Sequence, residues 1–381
     1  MKIRMYNVGF GDCFCIRDKG KNLLVDFGTS NSRISGRPRR EMFDIILSDL
    51  SSIEQKNLLL THFHLDHLSG LLYMMKKKQY SHEFGKIYLP DVFSREEMNR
   101  TLTLLILADL MKNTYLPGRQ GSLFALVETL CRKPQEVELL ERGSLFEGKY
   151  RALWPDQDVI AAETEEIMAA IGENYQYILE RLLAFSGRLR QIVFSMTLLG
   201  RETGQEVSRD LAALDREFRE IREQAEFQQL LENMEARKIE LRQFKNNISI
   251  VFQNDKDGEL NLLFTGDVQK KHLQMIQNNY DKRIPLYEHY WCIKVPHHGT
   301  ENHYFDFSRY TPENMLISNG IYHANSKKRA KGYRTSARYA GIFHIRDAHM
   351  YCSDCQCCEG YSNGCSCREY DIIAPRYYWD I

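Results

Sequence analysis

Along the first sixty residues, apolar and polar positions alternate in short bursts broken by glycine and charge, the pattern of paired strands. The bursts are "KIRMYNVG", "DCFCIRD" and "NLLVDFG", with a Lys-Gly-Lys turn between the last two. "NLLLTHF" is a short apolar run that predicts a buried strand ending at residues 61–67. After it "LSGLLYMMKKKQ" predicts a helix, "GKIYLPD" a strand, residues 96–134 helix, and "GSLFEGKYRALWP" a hairpin. Strand patterns return in "NISIVFQ", "NLLFTGDV", "YWCIKVPHHG" and "NMLISNG", with a helix over 268–279.

Between the two strand-rich stretches the period changes. Apolar residues recur at Met168, Ile171, Tyr175, Ile178, Leu182, Phe185, Leu189, Ile192, Met196 and Leu199, alternating steps of 3 and 4. The polar "GRETGQEVSRD" interrupts this stripe. A second stripe runs through Leu211, Leu214, Phe218, Ile221 and Ala225, then drifts toward Leu230, Met234 and Leu241. Two long helices folded into an antiparallel hairpin account for the pattern. A helix of about 32 residues spans roughly 48 Å, long enough to protrude from a domain. Such a hairpin either packs on its own domain or serves as a homodimer interface or partner-binding arm. Because the strand chemistry on both sides is alike, residues 157–245 read as an insertion dividing one core into 1–156 and 246–345. Residues 346–381 form a cysteine-rich tail.

Composition narrows the class. Hydrophobic residues make up 43% of the 381, and Lys+Arg and Asp+Glu both count 51, so no global field draws the chain to nucleic acid or membrane. The N-terminus lacks the apolar core of a signal peptide, and no run reaches the length of a membrane span. Six of the ten cysteines crowd between 352 and 367, which suits thiols or metal in a reducing compartment. A cytoplasmic protein without membrane contact is expected.

Chemistry concentrates in "THFHLDHLSG", where His62, His64, Asp66 and His67 fall within six positions. Imidazole nitrogens and carboxylate oxygens are the ligands that zinc or manganese takes when it must also hold a reactive water. Buried together without a cation, these groups would waste desolvation energy. "FTGD" places Asp267, and "VPHHGT" places His297 and His298, at strand ends where a site would collect them.

"HFHLDH" resembles the signature of the metallo-beta-lactamase-fold hydrolases. With "NVGFGDCFCI", "LLVDFG", "NNISIVF", "LLFTGD", "IKVPHHGT" and "LISNG", the chain resembles the branch containing the hydrolase domain of ComEC-type competence proteins. The resemblance implies an α/β fold, a four-layer α/β/β/α sandwich with two divalent metal ions at one edge and the helical hairpin as an insertion. On it, His62 and His64 hold one metal, Asp66 and His67 the second, Asp267 bridges them, and His297 completes the second site. Asp26 matches an aspartate that orients ligands from behind. Asn247 stands roughly where the family has a further histidine, which leaves the first metal short of a nitrogen and favours manganese or a single ion there.

A bound cation lowers the pKa of water to about 7, and a pair roughly 3.5–4 Å apart clamps attacking and leaving oxygens. Asp66 and His298 are the catalytic candidates, His298 as proton donor or as a hydrogen-bonding support. His323 is a weaker candidate beside an ordinary exposed loop histidine. Basic loops follow two of the strands: "RISGRPRR" carries Arg37, Arg39 and Arg40, and "KKRAKGYR" carries Lys327 and Lys328. They either rim the pocket or are simply solvated. As a rim they favour an anionic substrate, so the expected activity is a phosphodiesterase or nuclease on nucleic acid or nucleotide. The alternatives are a small-molecule ester, lactone or thioester hydrolase, and a binding module that has kept the fold. In the tail, "CSDCQCCEGYSNGCSC" supplies Cys352, Cys355, Cys365 and Cys367 for a structural zinc, or else free thiols.

Overall fold

A computed structural model describes residues 1–34, 37–77, 84–112, 121–132, 136–171, 175–199, 205–319, 336, 338–339, 349–352 and 378–381. The chain opens with β1 (Lys2–Tyr6), β2 (Phe14–Asp18) and β3 (Lys21–Val25), an antiparallel meander. A short ribbon, β4 (Arg33–Ile34) and β5 (Arg37–Pro38), leads into α1 (Arg39–Ser51). Then come β6 (Lys56–Leu59), α2 (Leu65–Lys76), β7 (Lys86–Pro90), α3 (Met98–Lys112), α4 (Ser122–Arg132) and β8 (Glu136–Leu140). β9 (Leu145–Phe146) and β10 (Tyr150–Trp154) form the hairpin. Five helices follow: α5 (Gln157–Ile171), α6 (Gln176–Leu199), α7 (Gln205–Glu223), α8 (Ala225–Met234) and α9 (Lys238–Asn247). The remainder is β11 (Val251–Asn254), β12 (Leu262–Phe264), α10 (Lys270–Gln277), β13 (His289–Lys294), β14 (Thr311–Ile317), β15 (His349–Cys352) and β16 (Tyr378–Asp380).

These strands build two seven-stranded mixed sheets, ordered β16-β1-β2-β3-β6-β7-β8 and β15-β14-β13-β12-β11-β10-β9. Each has an antiparallel half and a parallel half: β3, β6, β7 and β8 run parallel in one, and β12 to β15 in the other. Period-two alternation sends side chains to two different cores. Ile3, Met5, Phe14, Ile16, Leu23 and Val25 from the first sheet meet Phe252, Leu262, Phe264 and Leu316 from the second in one apolar cluster. Phe14 and Phe264 touch edge-on across it, with centroids 5.6 Å apart. The alternate residues, Cys13, Cys15 and Leu24, face a larger cluster shared with the helices. There α1 contributes Phe43, Ile46, Leu47 and Leu50, and α2 contributes Leu68, Leu71 and Met74, a helical stripe in each case.

The expected second hairpin helix is divided among α7, α8 and α9, and the break after Glu223 coincides with the drift in the apolar stripe. The stripe of α6 does not stand clear of the protein. Phe185 stacks at 5.0 Å on Phe218 of α7 and at 6.3 Å on Phe124 of α4, so the seam is covered from the core side. α6 is long and apolar enough by length and composition to cross a membrane, yet Ile178, Leu182, Phe185, Leu189 and Met196 spend that apolarity inside the protein. The segment 346–381 reads as a separate tail, but its described strands extend the two sheets: β15 pairs with β14, and β16 with β1. Backbone hydrogen bonding at open sheet edges accounts for this, and composition carries no sign of it.

Candidate metal centre

Parallel strands present their C-terminal ends on one side, and there the polar side chains gather. The turn after β3 carries Asp26, the loop after β6 carries His62 and His64, and α2 begins with Asp66 and His67 in its first turn. From the second sheet, Asp267 follows β12, His297 and His298 follow β13, and Ser318 follows β14. Within the first half, the turn after β3 fits closely against α2. A Cβ on Gly28 would lie 2.6 Å from the backbone of Asp66 and His67, so only glycine lets this turn sit against the start of α2. Phe27 N–H donates to His67 O at 2.7 Å, and Asp12 N–H to Asp66 O at 3.1 Å.

Asp26 is fully buried and accepts from the Thr61 N–H and hydroxyl, both at 2.8 Å. It also lies 2.8 Å from His67 Nδ1, so that nitrogen carries the proton and Nε2 faces Asp267 Oδ2 at 3.2 Å. On the opposite side Asp12 does the same for His298. Asp12 Oδ1 is 3.1 Å from His298 Nδ1, while His298 Nε2 points to Asp267 Oδ2 at 3.5 Å and Asp66 Oδ2 at 3.7 Å. Asp12, His67, Asp267 and His298 are all buried, and one ligand atom from each lies within 4.8 Å of the others. His62 Nε2 contacts His64 Nδ1 at 2.9 Å beside this group, and the His62 and His67 rings lie 4.1 Å apart.

The sequence reading and the structure differ at several positions. His298, read as a proton donor, stands in the four-residue donor group; His297, read as the ligand, reaches Asp267 Oδ2 at 3.3 Å and is 13% exposed. Asn247, read as standing roughly where the family has a further histidine, turns away from the site, donating to Glu163 and accepting from Gln269. Its neighbour Asn246 reaches the site instead, 3.2 Å from His297 Nδ1. Arg37 is paired with Glu41, and Arg39 and Arg40 are exposed at the start of α1. His323, Lys327, Lys328, Cys355, Cys365 and Cys367 lie outside the described residues, and Cys352 is described only as backbone in β15.

Three participants were missed. Asp12 opens the strand pattern "DCFCIRD" and drew no role from it. Lys294, 1% exposed, lies 2.6 Å from Asp12 Oδ2 and 3.3 Å from Asp267 Oδ1. A lone cation inside the apolar run "YWCIKVP" was a usable signal, because lysine is almost never buried unpaired. His303 stacks on His297 with centroids 3.7 Å apart.

Charge balance shapes the titration. Burial pushes His67 and His298 down, but Asp267 and Asp12, joined by Asp26 at His67, outweigh it: His67 ends well above the usual imidazole value and His298 at about 9. Burial lowers His297 to about 3 and, together with His67, holds His62 well below normal. Asp12 and Asp267 stay well below the carboxylate range despite burial, Asp12 through Lys294 and His298, Asp267 through its three histidines. Asp26 is raised, burial outweighing His67. Lys294 stays charged, Asp12 and Asp267 overcoming its burial.

Backbone conformation marks the same place. Asp26, His297 and His298 are left-handed, with φ of 56°, 47° and 57°, a region non-glycine residues enter at a cost. His298 Nε2 is buried and makes no hydrogen bond among the described residues. Imidazole and carboxylate donors, two of the imidazoles oriented by carboxylates behind them, fit a divalent cation. No curated protein matches the chain. A sequence model of the metallo-beta-lactamase superfamily matches residues 6–104, the stretch that supplies Asp12, Asp26 and the histidine loop, and that similarity implies a metal-dependent hydrolase.

Proposed function

We propose that this protein is a hydrolase with two divalent metal sites, zinc or manganese, acting on phosphodiester bonds of nucleic acid or nucleotides. The observation that carries the reading is the buried convergence of Asp12, His67, Asp267 and His298 at the strand ends of both sheets. The apolar cluster shared by the sheets, with helices on their other faces, supports a four-layer α/β/β/α arrangement. In this reading Asp267, His67, His298 and Asp66 would hold one cation, and His62 and His64 would serve the other. His297 serves at the mouth.

A cation held there supplies a water acidified to a pKa near 7 and neutralises charge on the substrate. The protein's own residues do the rest. Asp26 and Asp12 hold the Nδ1 protons of His67 and His298, so both Nε2 atoms face Asp267 and would be free for a cation once it displaces their protons. Lys294 keeps Asp12 and Asp267 ionised in a buried setting. Preference for an anionic phosphodiester is supported by the basic start of α1, where Arg39 and Arg40 are exposed.

The test is hydrolysis of bis-p-nitrophenyl phosphate and of labelled single-stranded DNA with added manganese or zinc, by the wild type and by Asp66→Ala. Metal-dependent cleavage lost in the variant is the expected result. Metal bound in full with neither substrate cleaved would overturn the phosphodiester assignment and favour lactones and thioesters.

A further inference from the structure

A second buried polar network stands directly behind the histidine loop. Lys245 of α9, Asp109 of α3 and Ser122 of α4 are 2%, 3% and 6% exposed, and Lys245 is ion-paired with Asp109. Ser122 Oγ contacts Asp109 Oδ1 at 2.8 Å and Phe63 O at 2.5 Å, and Lys245 Nζ reaches Phe63 O at 3.4 Å and Ser122 Oγ at 3.1 Å. Asp109 Oδ2 also accepts the Leu123 N–H at 2.9 Å, capping α4 from a neighbouring helix. The fit is tight: a Cβ on Gly121 would lie 2.6 Å from Asp109. Two helices, α4 and α9, thus meet at one carbonyl, with Asp109 of α3 holding both of their side chains, and that carbonyl belongs to the residue between His62 and His64.

We infer that Lys245, Asp109 and Ser122 are positioning residues that clamp the Phe63 carbonyl and so set His62 and His64 for the metal; this rests on the function proposed above. A buried ion pair is weak as a source of stability, because apolar packing of the same shape does as well. What the pair adds is a fixed place for the carbonyl it touches. With its ring buried and its oxygen held by the Ser122 hydroxyl and the Lys245 ammonium, the Phe63 peptide cannot rotate, and the flanking histidines inherit that orientation. The same helix end supplies Asn246 to His297, so α9 supports both histidine loops. The helical segment 157–247 is thereby tied to the metal centre through polar contacts as well as through its apolar seam.

The experiment titrates the full chain with zinc chloride and with manganese chloride against a chromophoric chelator, alongside the melting temperature of the metal-free protein. Ser122→Ala removes one hydrogen bond to Phe63 and keeps the ion pair. Lys245→Met combined with Asp109→Leu removes the pair without leaving a lone buried charge. Thr101→Val is the control, because it breaks the buried Thr101–Thr164 hydroxyl contact of 2.9 Å between α3 and α5, away from the histidine loop. Both clamp variants are expected to stay folded and lose about 10- to 100-fold in affinity, the range for partners behind a ligand. Thr101→Val should lower the melting temperature and keep wild-type affinity. Wild-type affinity in both clamp variants, or an equal loss in Thr101→Val, overturns the inference while the functional reading stands. A wild type that takes up no metal overturns that reading, and the inference with it.

Discussion

The loop after β6 and the loop after β13 aim histidines at the same carboxylate, Asp267, by opposite means. The first runs directly into a helix: His64 precedes α2 with φ −78° and ψ 148°, an ordinary extended conformation, and helical geometry then brings Asp66 and His67 round. The second holds two consecutive histidines in the left-handed region, where neither would settle by itself. One loop gets its geometry from local regularity, the other from being held by what surrounds it. His298 is wedged between Phe10, at 4.3 Å, and Asp12, and His297 between His303 and Asn246. Regular structure places ligands cheaply, while strain places them where no helix or strand leads.

Removing the carboxylate both loops share should have the largest effect. Asp267→Asn is expected to lose more metal affinity than the 10- to 100-fold typical of a partner behind the ligand, read by metal content after dialysis. Retention of full metal content would mean that the two loops form separate sites.

The paired aspartates come next. Asp26→Asn and Asp12→Asn should each weaken metal binding by about 10- to 100-fold, since each frees one histidine ring to reorient. Stability separates them. Asp12→Asn also strips Lys294 of its nearer anion and leaves it only Asp267 at 3.3 Å, and removing one partner of a buried pair costs up to about 3–5 kcal/mol. Urea unfolding of the metal-free proteins should rank Asp12→Asn well below Asp26→Asn, and equal midpoints would contradict the Lys294 assignment.

Strain offers a smaller contrast. His297→Asn puts a residue that tolerates the left-handed region at a strained position and should stabilise the metal-free protein by up to about 1 kcal/mol while weakening metal uptake. His64→Asn, where φ is ordinary, should leave stability within about 0.5 kcal/mol. Urea midpoints of the two variants check this. A gain at His64 and none at His297 would reverse the comparison.

The smallest effect concerns the support of the second loop through α9. Burial alone would raise the Glu163 carboxyl, but hydrogen bonds from His272 and Lys271 outweigh it and leave it lowered. A carboxylate lowered on folding contributes stability that is whole above its unfolded value, here 4.5, and is lost as pH falls through the folded one. Glu163→Gln should therefore cost on the order of 1 kcal/mol at pH 7, with the gap from wild type closing in acid. A gap that widened as the pH fell would contradict the assignment.

These contrasts follow what was legible in the chain. His62, His64, Asp66 and His67 could be read together because their spacing lies within one strand end and one helical turn, where local geometry carries the neighbourhood. Asp26 and Asp267 were visible at the ends of apolar runs for the same reason. Most strands of the two sheets were readable from alternation or short apolar runs, β8, β15 and β16 excepted, and the hairpin helices from their stripe. Asp12, Lys294 and His303 were not, because each gains its meaning from a partner far along the chain. Asn246 and Asn247 show the limit most sharply. Adjacent residues at a helix end point about 100° apart, and only the packing of α9 decides which of them meets His297.

The sequence by itself determined the periodicities, hence the elements, and the donor chemistry of the histidine loop, because both depend on neighbours within a few residues. Tertiary structure alone decided which histidine of the 297–298 pair joins the buried donors, that Asp12 mirrors Asp26, and that a lysine sits among the carboxylates. Those outcomes depend on burial and on charges brought together from distant strands, and a buried charge takes its state from whatever the fold sets beside it.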